Sequence, residues 1–208
     1  MKKLGYSLLK RGFDLGVSST VLAATMPVML PVALSIKATM GSPILFRQTR
    51  PGKNGVPFDI LKFRTMRDLK EGEDIVSSDG DRITALGKFL RKTSLDEFPT
   101  FLNVLMGEMS VVGPRPLLMR YLPRYSVRQF RRHEVKPGIT GWAQVNGRNS
   151  ISWEEKFRLD VWYVEHRSLL LDTKILFQTI KKVLIRDGIS SEDHVTMPEF
   201  MGSQASSI

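Results

Sequence analysis

Two adjacent carboxylates, Asp96 and Glu97, stand within RKTSLDEFPTFLNVLMGEMSVVGPRP at residues 91–116. Such a pair offers oxygen ligands to Mg²⁺. It also has a local role open to it, because Ser94-x-x-Glu97 fits a capping box that satisfies amide donors at a helix start. Pro99 is comfortable only in a first helical turn, which equally permits Asp96 as the N-cap with Pro99 at the third helical position. Both arrangements put the carboxylates at a helix N-terminus, where free amides and the helix dipole favour a phosphate. A cap and a phosphate site are compatible.

Two further stretches carry chemistry. In GPRP, residues 113–116, Arg115 lies between prolines whose fixed φ restricts the chain, which suits bidentate capture of phosphate as well as an ordinary exposed turn. PGITGWAQVNGRN, residues 137–149, brings Gly138, Gly141 and Gly147 together with one cation, Arg148. It lacks the Gly-Lys-Ser/Thr of a Walker loop, and no GxGxxG fingerprint is present, so a glycine-rich turn is its local reading. His133, His166 and His194 have no zinc-ligand spacing, and the absence of cysteine removes disulfides, cysteine-rich zinc sites and thiol nucleophiles.

The elements that must position these groups fit roughly one domain, since the chain has 208 residues. It is 42% apolar and 25% charged, a globular composition. With 31 Lys and Arg against 21 Asp and Glu, its net charge of +10 points to an anionic partner. Residues 15–36, LGVSSTVLAATMPVMLPVALSI, contain no charged side chain and are long enough to cross a hydrocarbon core of about 30 Å. A cleaved signal and a buried core helix are the competing readings. Pro27 and Pro31 argue against a straight helix and predict a kink near Met26-Pro27. Basic residues flank both ends, Lys2, Lys3, Lys10 and Arg11 before and Lys37, Arg47, Arg50 and Lys53 after. A full span would leave one cluster on the wrong face, so a re-entrant helix that enters and leaves on one side fits better. Hydroxyls of Ser18, Ser19, Thr20 or Thr25 could then satisfy carbonyls freed at the kink.

Beyond residue 40 the pattern is that of a water-facing domain. Leu61 and Phe63 alternate with Lys62 and Arg64, and the turn-rich RPGKNG predicts a hairpin pairing Ile44–Arg47 with Phe58–Thr65. Residues 70–82 read as a solvated acidic loop. Helical spacing recurs over Ile83–Leu90, Phe98–Met109, Trp153–His166 and Lys174–Arg186, the last two amphipathic, with apolar faces suited to a core or to a lipid interface. The fold class expected is α+β: a small, mainly helical domain with a short β-hairpin, an N-terminal re-entrant membrane helix and amphipathic interfacial helices. The expected division is an anchor at 1–36, a catalytic domain at 37–190 and a polar tail at 191–208.

Taken in order, the Lys10-Arg11 pair, an apolar segment with a central proline, KFRTM, SLDE-x-P, GPRP and PGITGWAQVNGRN resemble the bacterial sugar transferase family of monotopic phosphoglycosyl transferases, from about Lys10 to about Ile189. The length resembles members made of the catalytic domain alone. The resemblance implies transfer of a sugar 1-phosphate from a UDP-sugar to undecaprenyl phosphate with release of UMP, the membrane-committed first step of bacterial glycan assembly (exopolysaccharide, capsule, O-antigen or glycoprotein glycan). It implies that Asp96 is the nucleophile forming a covalent phosphosugar-aspartyl intermediate and that Glu97, with Asp96, binds Mg²⁺. Arg91, Arg115 and Arg148 would neutralise phosphate oxygens, with Lys62 and Arg64 in the same region. Pro27 would mark the membrane kink, although close relatives carry Ser-Pro where this chain has Met26-Pro27, and Lys10 and Arg11 would lie at the membrane surface. The implied partners are membrane lipids and glycosyltransferases acting downstream, with a homodimer left open. The implied location is the cytoplasmic face of the bacterial inner membrane. A membrane-anchored nucleic-acid-binding protein would also explain +10 together with Trp142, Trp153 and Trp162, but no recognition motif supports nucleic acid as a partner. A non-catalytic scaffold would give no reason to keep Asp96, Glu97 and Arg115 together.

Overall fold

The computed structural model describes residues 2–69, 79–147, 151–185 and 199–202. Helix α1 (Lys2–Met40) leads into the hairpin of β1 (Leu45–Pro51) and β2 (Pro57–Phe63). Helices α2 (Asp79–Arg82), α3 (Ala85–Thr93) and α4 (Thr100–Met106) come next, then β3 (Ser110–Val112), α5 (Val127–Phe130) and β4 (Gly138–Thr140). Helices α6 (Trp142–Asn146), α7 (Trp153–His166) and α8 (Leu169–Ile185) follow. The described residues are thus mostly helical with little sheet, and one helix among them is long and apolar enough to cross a membrane.

The expected hairpin forms, with Leu45 opposite Phe63 and Pro51 opposite Pro57. Its turn uses Asn54 at φ 58° and Gly55 at φ 77°, left-handed conformations those residues tolerate. A second pairing is not visible in the sequence pattern: β3 and β4 lie parallel, Ser110 opposite Gly138 and Val112 opposite Thr140. The glycines make this approach feasible, since a Cβ on Gly138 would fall 2.1 Å from the Gly113 nitrogen. GPRP and PGITG are therefore packed backbone against backbone. Phe58, Ile60, Val104, Val111, Val112, Tyr163 and Ile175 fill the main core around them. The apolar face of α7 is core, whereas α8 leaves Leu170, Phe177 and Ile180 exposed.

Helix α1 is fastened to the domain near both ends. At the N-terminal end the Tyr6 hydroxyl donates to Asp172, and Lys10 bridges Asp14 and Asp172 at 3.2 and 3.1 Å. Asp14 accepts from the Ser110 hydroxyl and the Val111 amide, and Arg11 donates to the Val104 and Leu105 carbonyls at the end of α4. Lys10 and Arg11, expected at the membrane surface, thus make contacts within the protein. At the other end Val32 and Ile36 are buried against Phe63 and Leu90, and the helix runs past residue 36 to Met40. Between these regions Met26, Val28 and Leu30 are exposed. The helix is assigned continuously through Pro27 and Pro31. The Thr25 hydroxyl donates to the Val21 carbonyl, not to the Ala23 carbonyl that Pro27 deprives of its usual donor.

His133 is buried, with Nδ1 3.1 Å from the Gly52 carbonyl oxygen, and burial, reinforced by the Arg132 charge, pushes its pKa down to about 4. An unfolded histidine takes up a proton near 6.5. The stability due to neutral His133 is therefore complete above about pH 6.5 and is lost as the pH falls towards 4. His133→Asn, which keeps a donor for Gly52 without titrating in this range, should flatten the dependence of denaturation midpoint on pH between 6.5 and 4. An unchanged slope would contradict the assignment.

Candidate active site

Asp96 and Glu97 lie in a 3₁₀ turn, Leu95–Glu97, wedged between α3 and α4. The capping box expected at Ser94 does not form, because Ser94 takes φ 57° as the left-handed C-cap of α3 and its side chain caps nothing. Pro99, not Asp96, occupies the N-cap position of α4. The turn is held in place by side chains that reach β2. Thr100 donates to the Leu61 carbonyl, and Asn103 accepts from the Leu61 amide while donating to the Asp59 carbonyl. Asn103 is fully buried, so α4 supplies β2 with hydrogen bonds that a neighbouring strand would otherwise give.

This clasp sets the turn over Lys62. Lys62 Nζ and Arg115 Nη2 both donate to Glu97 Oε1 at 2.6 Å. Three separate stretches, KFRTM, SLDE and GPRP, thereby converge on one carboxylate oxygen. Burial alone would raise the pKa of Glu97, but the charges of Arg115 and Lys62 outweigh it and hold the group far below the usual carboxylate range. Asp96 is treated differently. Burial, and next the Glu97 carboxylate, raise its pKa, with Lys62 and Arg91 opposing, and no ion pair reaches its side chain among the described residues. Neighbouring acids pushed in opposite directions are suited to different tasks.

A cavity of about 110 Å³ opens beside this cluster, walled by Arg50, Lys62, Glu97, Thr100, Arg115 and Leu117 among others. Asp96 borders the cluster without lining that cavity. Both ion pairs of Glu97 fall on Oε1, so neither takes Oε2. Two adjacent carboxylates are the donor set that Mg²⁺ commonly shares with substrate phosphates; no group of three or more His, Cys, Asp or Glu with metal-site geometry occurs among the described residues.

The other sequence candidates separate. Arg91 donates to the Thr65 hydroxyl at 3.0 Å and contributes its charge to Asp96. That contact depends on Gly87, where a Cβ would fall 1.9 Å from the Thr65 carbonyl oxygen. Arg64 is buried and donates to the Met40 and Met66 carbonyls while pairing with Asp68, so it ties α1 to the strand's end and is not joined to the Glu97 cluster. Arg148 lies outside the described residues.

Three participants escaped the sequence reading. Arg50 lines the cavity with a buried Nε that has no partner among the described residues, and burial and the nearby Arg115 charge lower its pKa. It pairs with Phe58 across the hairpin, so the even positions of β2 that carry Lys62 share its face. Hairpin register would have found it. Arg132 donates to the Arg115 carbonyl at 2.8 Å and is itself clasped by buried Asp160 at 2.8 and 3.0 Å. No local motif marks that pair.

The model of the family described as bacterial sugar transferase matches residues 5–186. An uncharacterized sugar transferase from Bacillus subtilis (strain 168) is 53% identical over 196 residues, covering 94% of this chain and 97% of that protein. The UDP-glucose:undecaprenyl-phosphate glucose-1-phosphate transferase of Escherichia coli (strain K12) is 41% identical over 188 residues, which are 84% of this chain but span 40% of the relative. A protein of the same name from Caulobacter vibrioides (strain ATCC 19089 / CIP 103742 / CB 15) is 39% identical over 197 residues, 90% of this chain and 74% of the relative.

Breaking a buried ion pair by removing one partner costs about 3–5 kcal/mol. Asp160→Ala should therefore lower stability by an amount in that range in chemical denaturation, and a loss below about 1 kcal/mol would show that Arg132 is held by other means.

Proposed function

Because the chain belongs to the bacterial sugar transferase family, we propose that it transfers a sugar 1-phosphate from a UDP-sugar to undecaprenyl phosphate, releasing UMP. The donor and acceptor classes are those in the names of its relatives. The observation that carries the assignment of roles is the opposite treatment of the two acids, Glu97 ion-paired by Lys62 and Arg115 and Asp96, without an ion pair among the described residues, with a raised pKa. The more basic carboxylate is the better nucleophile.

In the first half-reaction an Asp96 carboxylate oxygen attacks the phosphorus that bears the sugar. The bond from that phosphorus to the UMP oxygen breaks, UMP leaves with the electron pair, and an acyl phosphate links the sugar to Asp96. In the second, an oxygen of undecaprenyl phosphate attacks the same phosphorus and the Asp96 carboxylate departs restored. Dividing the reaction lets one small site serve two unlike substrates in turn. A carboxylate approaches a diphosphate only if their like charges are offset, which Arg50, Arg115 and Lys62 do from the cavity wall and Arg91 does beside Asp96. Asp96 and Glu97 would hold Mg²⁺, which when bound supplies Lewis-acid neutralisation of the diphosphate. The product would begin assembly of a bacterial glycan on its lipid carrier. A nucleic-acid or scaffold role gives the Glu97 cluster nothing to do.

The same proposal makes α1 a re-entrant anchor at the cytoplasmic face. If residues 15–36 crossed a hydrocarbon core about 30 Å thick, Lys10 and Asp14 would pack on one side of the bilayer while Val32 and Ile36 packed deep in the hydrocarbon or at its far edge. Both sites belong to one small domain. Entering and leaving on one face removes the conflict and keeps the basic flanks together on the cytoplasmic side.

Purified protein given UDP-glucose, UDP-galactose or UDP-N-acetylhexosamines with undecaprenyl phosphate and Mg²⁺ should release UMP from at least one donor. Asp96→Asn should abolish that release, and Glu97→Gln should slow it by roughly 10²–10³-fold, as for loss of one electrostatic contact to the reacting group. Unchanged turnover in Asp96→Asn would sink the nucleophile assignment. Topology has its own test, since the chain contains no cysteine. Single cysteines at Ser7 and Thr39 should react with a membrane-impermeant thiol reagent from the same face of sealed vesicles, and labelling from opposite faces would refute the re-entrant arrangement.

A further inference from the structure

Residues 199–202 lie beyond the span matched by the family, which ends at 186, yet they are docked onto the domain. Phe200 is 2% exposed, although Met201 beside it is 75% exposed. Its ring meets Phe157 edge-on at 4.9 Å between centroids and stacks on Tyr125 at 5.8 Å. Glu199 Oε1 pairs with Arg124 at 2.8 Å and Arg120 at 3.1 Å, and Arg124 also donates to the Phe200 carbonyl. An apolar plug is thus latched by two ion pairs.

The cluster that receives the plug supports the active site on two sides. Leu117 packs against it and also walls the catalytic cavity, two residues after Arg115. Tyr125 and Phe157 lie under the Arg132 guanidinium at 5.8 and 5.7 Å, and Arg132 holds the Arg115 carbonyl. Arg120, tied by Glu199, is also close enough for its charge to act on Arg50 in the cavity wall. Contacts of Phe200 through Leu117 and Arg132, and of Glu199 through Arg120, thus reach the guanidinium wall of the cavity.

We propose that Phe200 is a positioning residue for sugar-phosphate transfer: seated in the aromatic cluster and latched by Glu199, it fixes the Arg115–Leu117 wall against which the diphosphate is held. It touches no reacting atom and acts through Leu117, Arg132 and Arg115. With the seat empty, the cluster relaxes into the vacated volume and the loop bearing Arg115 loses one side of its support. Reaction rates are sensitive to such shifts, a misplacement of about 1 Å being worth up to roughly 10²-fold. The inference rests on the transfer reaction proposed above.

The test compares wild type, Phe200→Ala, Phe200→Leu, Glu199→Gln and a chain ending at residue 198, at a temperature where circular dichroism shows each to be folded. Turnover per folded molecule and KM for the UDP-sugar are measured for all. Phe200→Ala and the shortened chain should lose about tenfold or more in kcat/KM, Phe200→Leu should recover most of it by refilling the seat, and Glu199→Gln should give a smaller loss in the same direction. Equal kcat and KM for all folded variants, with only the melting temperature lowered, would reduce Phe200 to a packing residue and overturn the inference alone. A wild-type chain that releases no UMP would overturn the transfer reaction and this inference with it.

Discussion

One carboxylate oxygen organises the site. Glu97 Oε1 is shared by Lys62 from β2 and Arg115 from the GPRP loop, and the structure around it is what such a meeting requires. Lys62 must project from a fixed strand, so β2 is paired to β1 on one edge and clasped by Thr100 and Asn103 on the other. Arg115 must be presented from a loop that cannot drift, and buried Arg132 with Asp160 pins its carbonyl. The acids themselves sit in a short 3₁₀ turn, which leaves adjacent side chains in unlike surroundings. Two cations gathered on Glu97 leave Asp96 as the more basic of the pair.

The sequence made the chemistry legible and much of its support illegible, for reasons that lie in particular residues. Alternation around Lys62 and the turn residues of RPGKNG are local signals, and the hairpin follows from them. Trp153–His166 is a helix with the bounds its periodicity indicates. A capping box at Ser94 is the local reading, but Ser94 turns left-handed to end α3 and gives its amide to the Arg91 and Leu90 carbonyls, while Lys62 and Arg115 take the Glu97 carboxylate. The β3–β4 pairing joins short strands far apart in the chain, and its only local trace is the glycines that let the backbones touch. Arg50 and Arg64 look alike in the sequence, as basic residues at the margins of the same hairpin. Register puts the first into the cavity, whereas the second, one residue beyond β2, turns to the Met40 and Met66 carbonyls, and composition carries neither fact.

The N-terminal helix shows the same division between local and long-range information. Its apolar run and flanking charges are plain in the chain, but the use made of those charges is not. Lys10 neutralises Asp14 and the fully buried Asp172, while Arg11 satisfies carbonyls at the end of α4. An unpaired charge at either aspartate would be costly, so these contacts hold the first turns of α1 to the domain. With Val32 and Ile36 packed near the far end, the apolar middle of α1 and the catalytic cluster have a fixed spatial relation. That coupling suits the proposed transfer, in which the acceptor phosphate would lie at a bilayer surface.

The proposed transfer requires an Asp96 oxygen to bond the sugar-bearing phosphorus. The most direct measurement is intact-protein mass spectrometry of the purified chain mixed with its UDP-sugar and Mg²⁺ in the absence of undecaprenyl phosphate, followed by peptide mapping. A mass increase of one phosphosugar on the peptide containing Asp96, formed with one equivalent of UMP and discharged when the polyprenyl phosphate is added, is the predicted result. UMP release only when both substrates are present, with no adduct at any time, or an adduct mapping to Glu97, would contradict it.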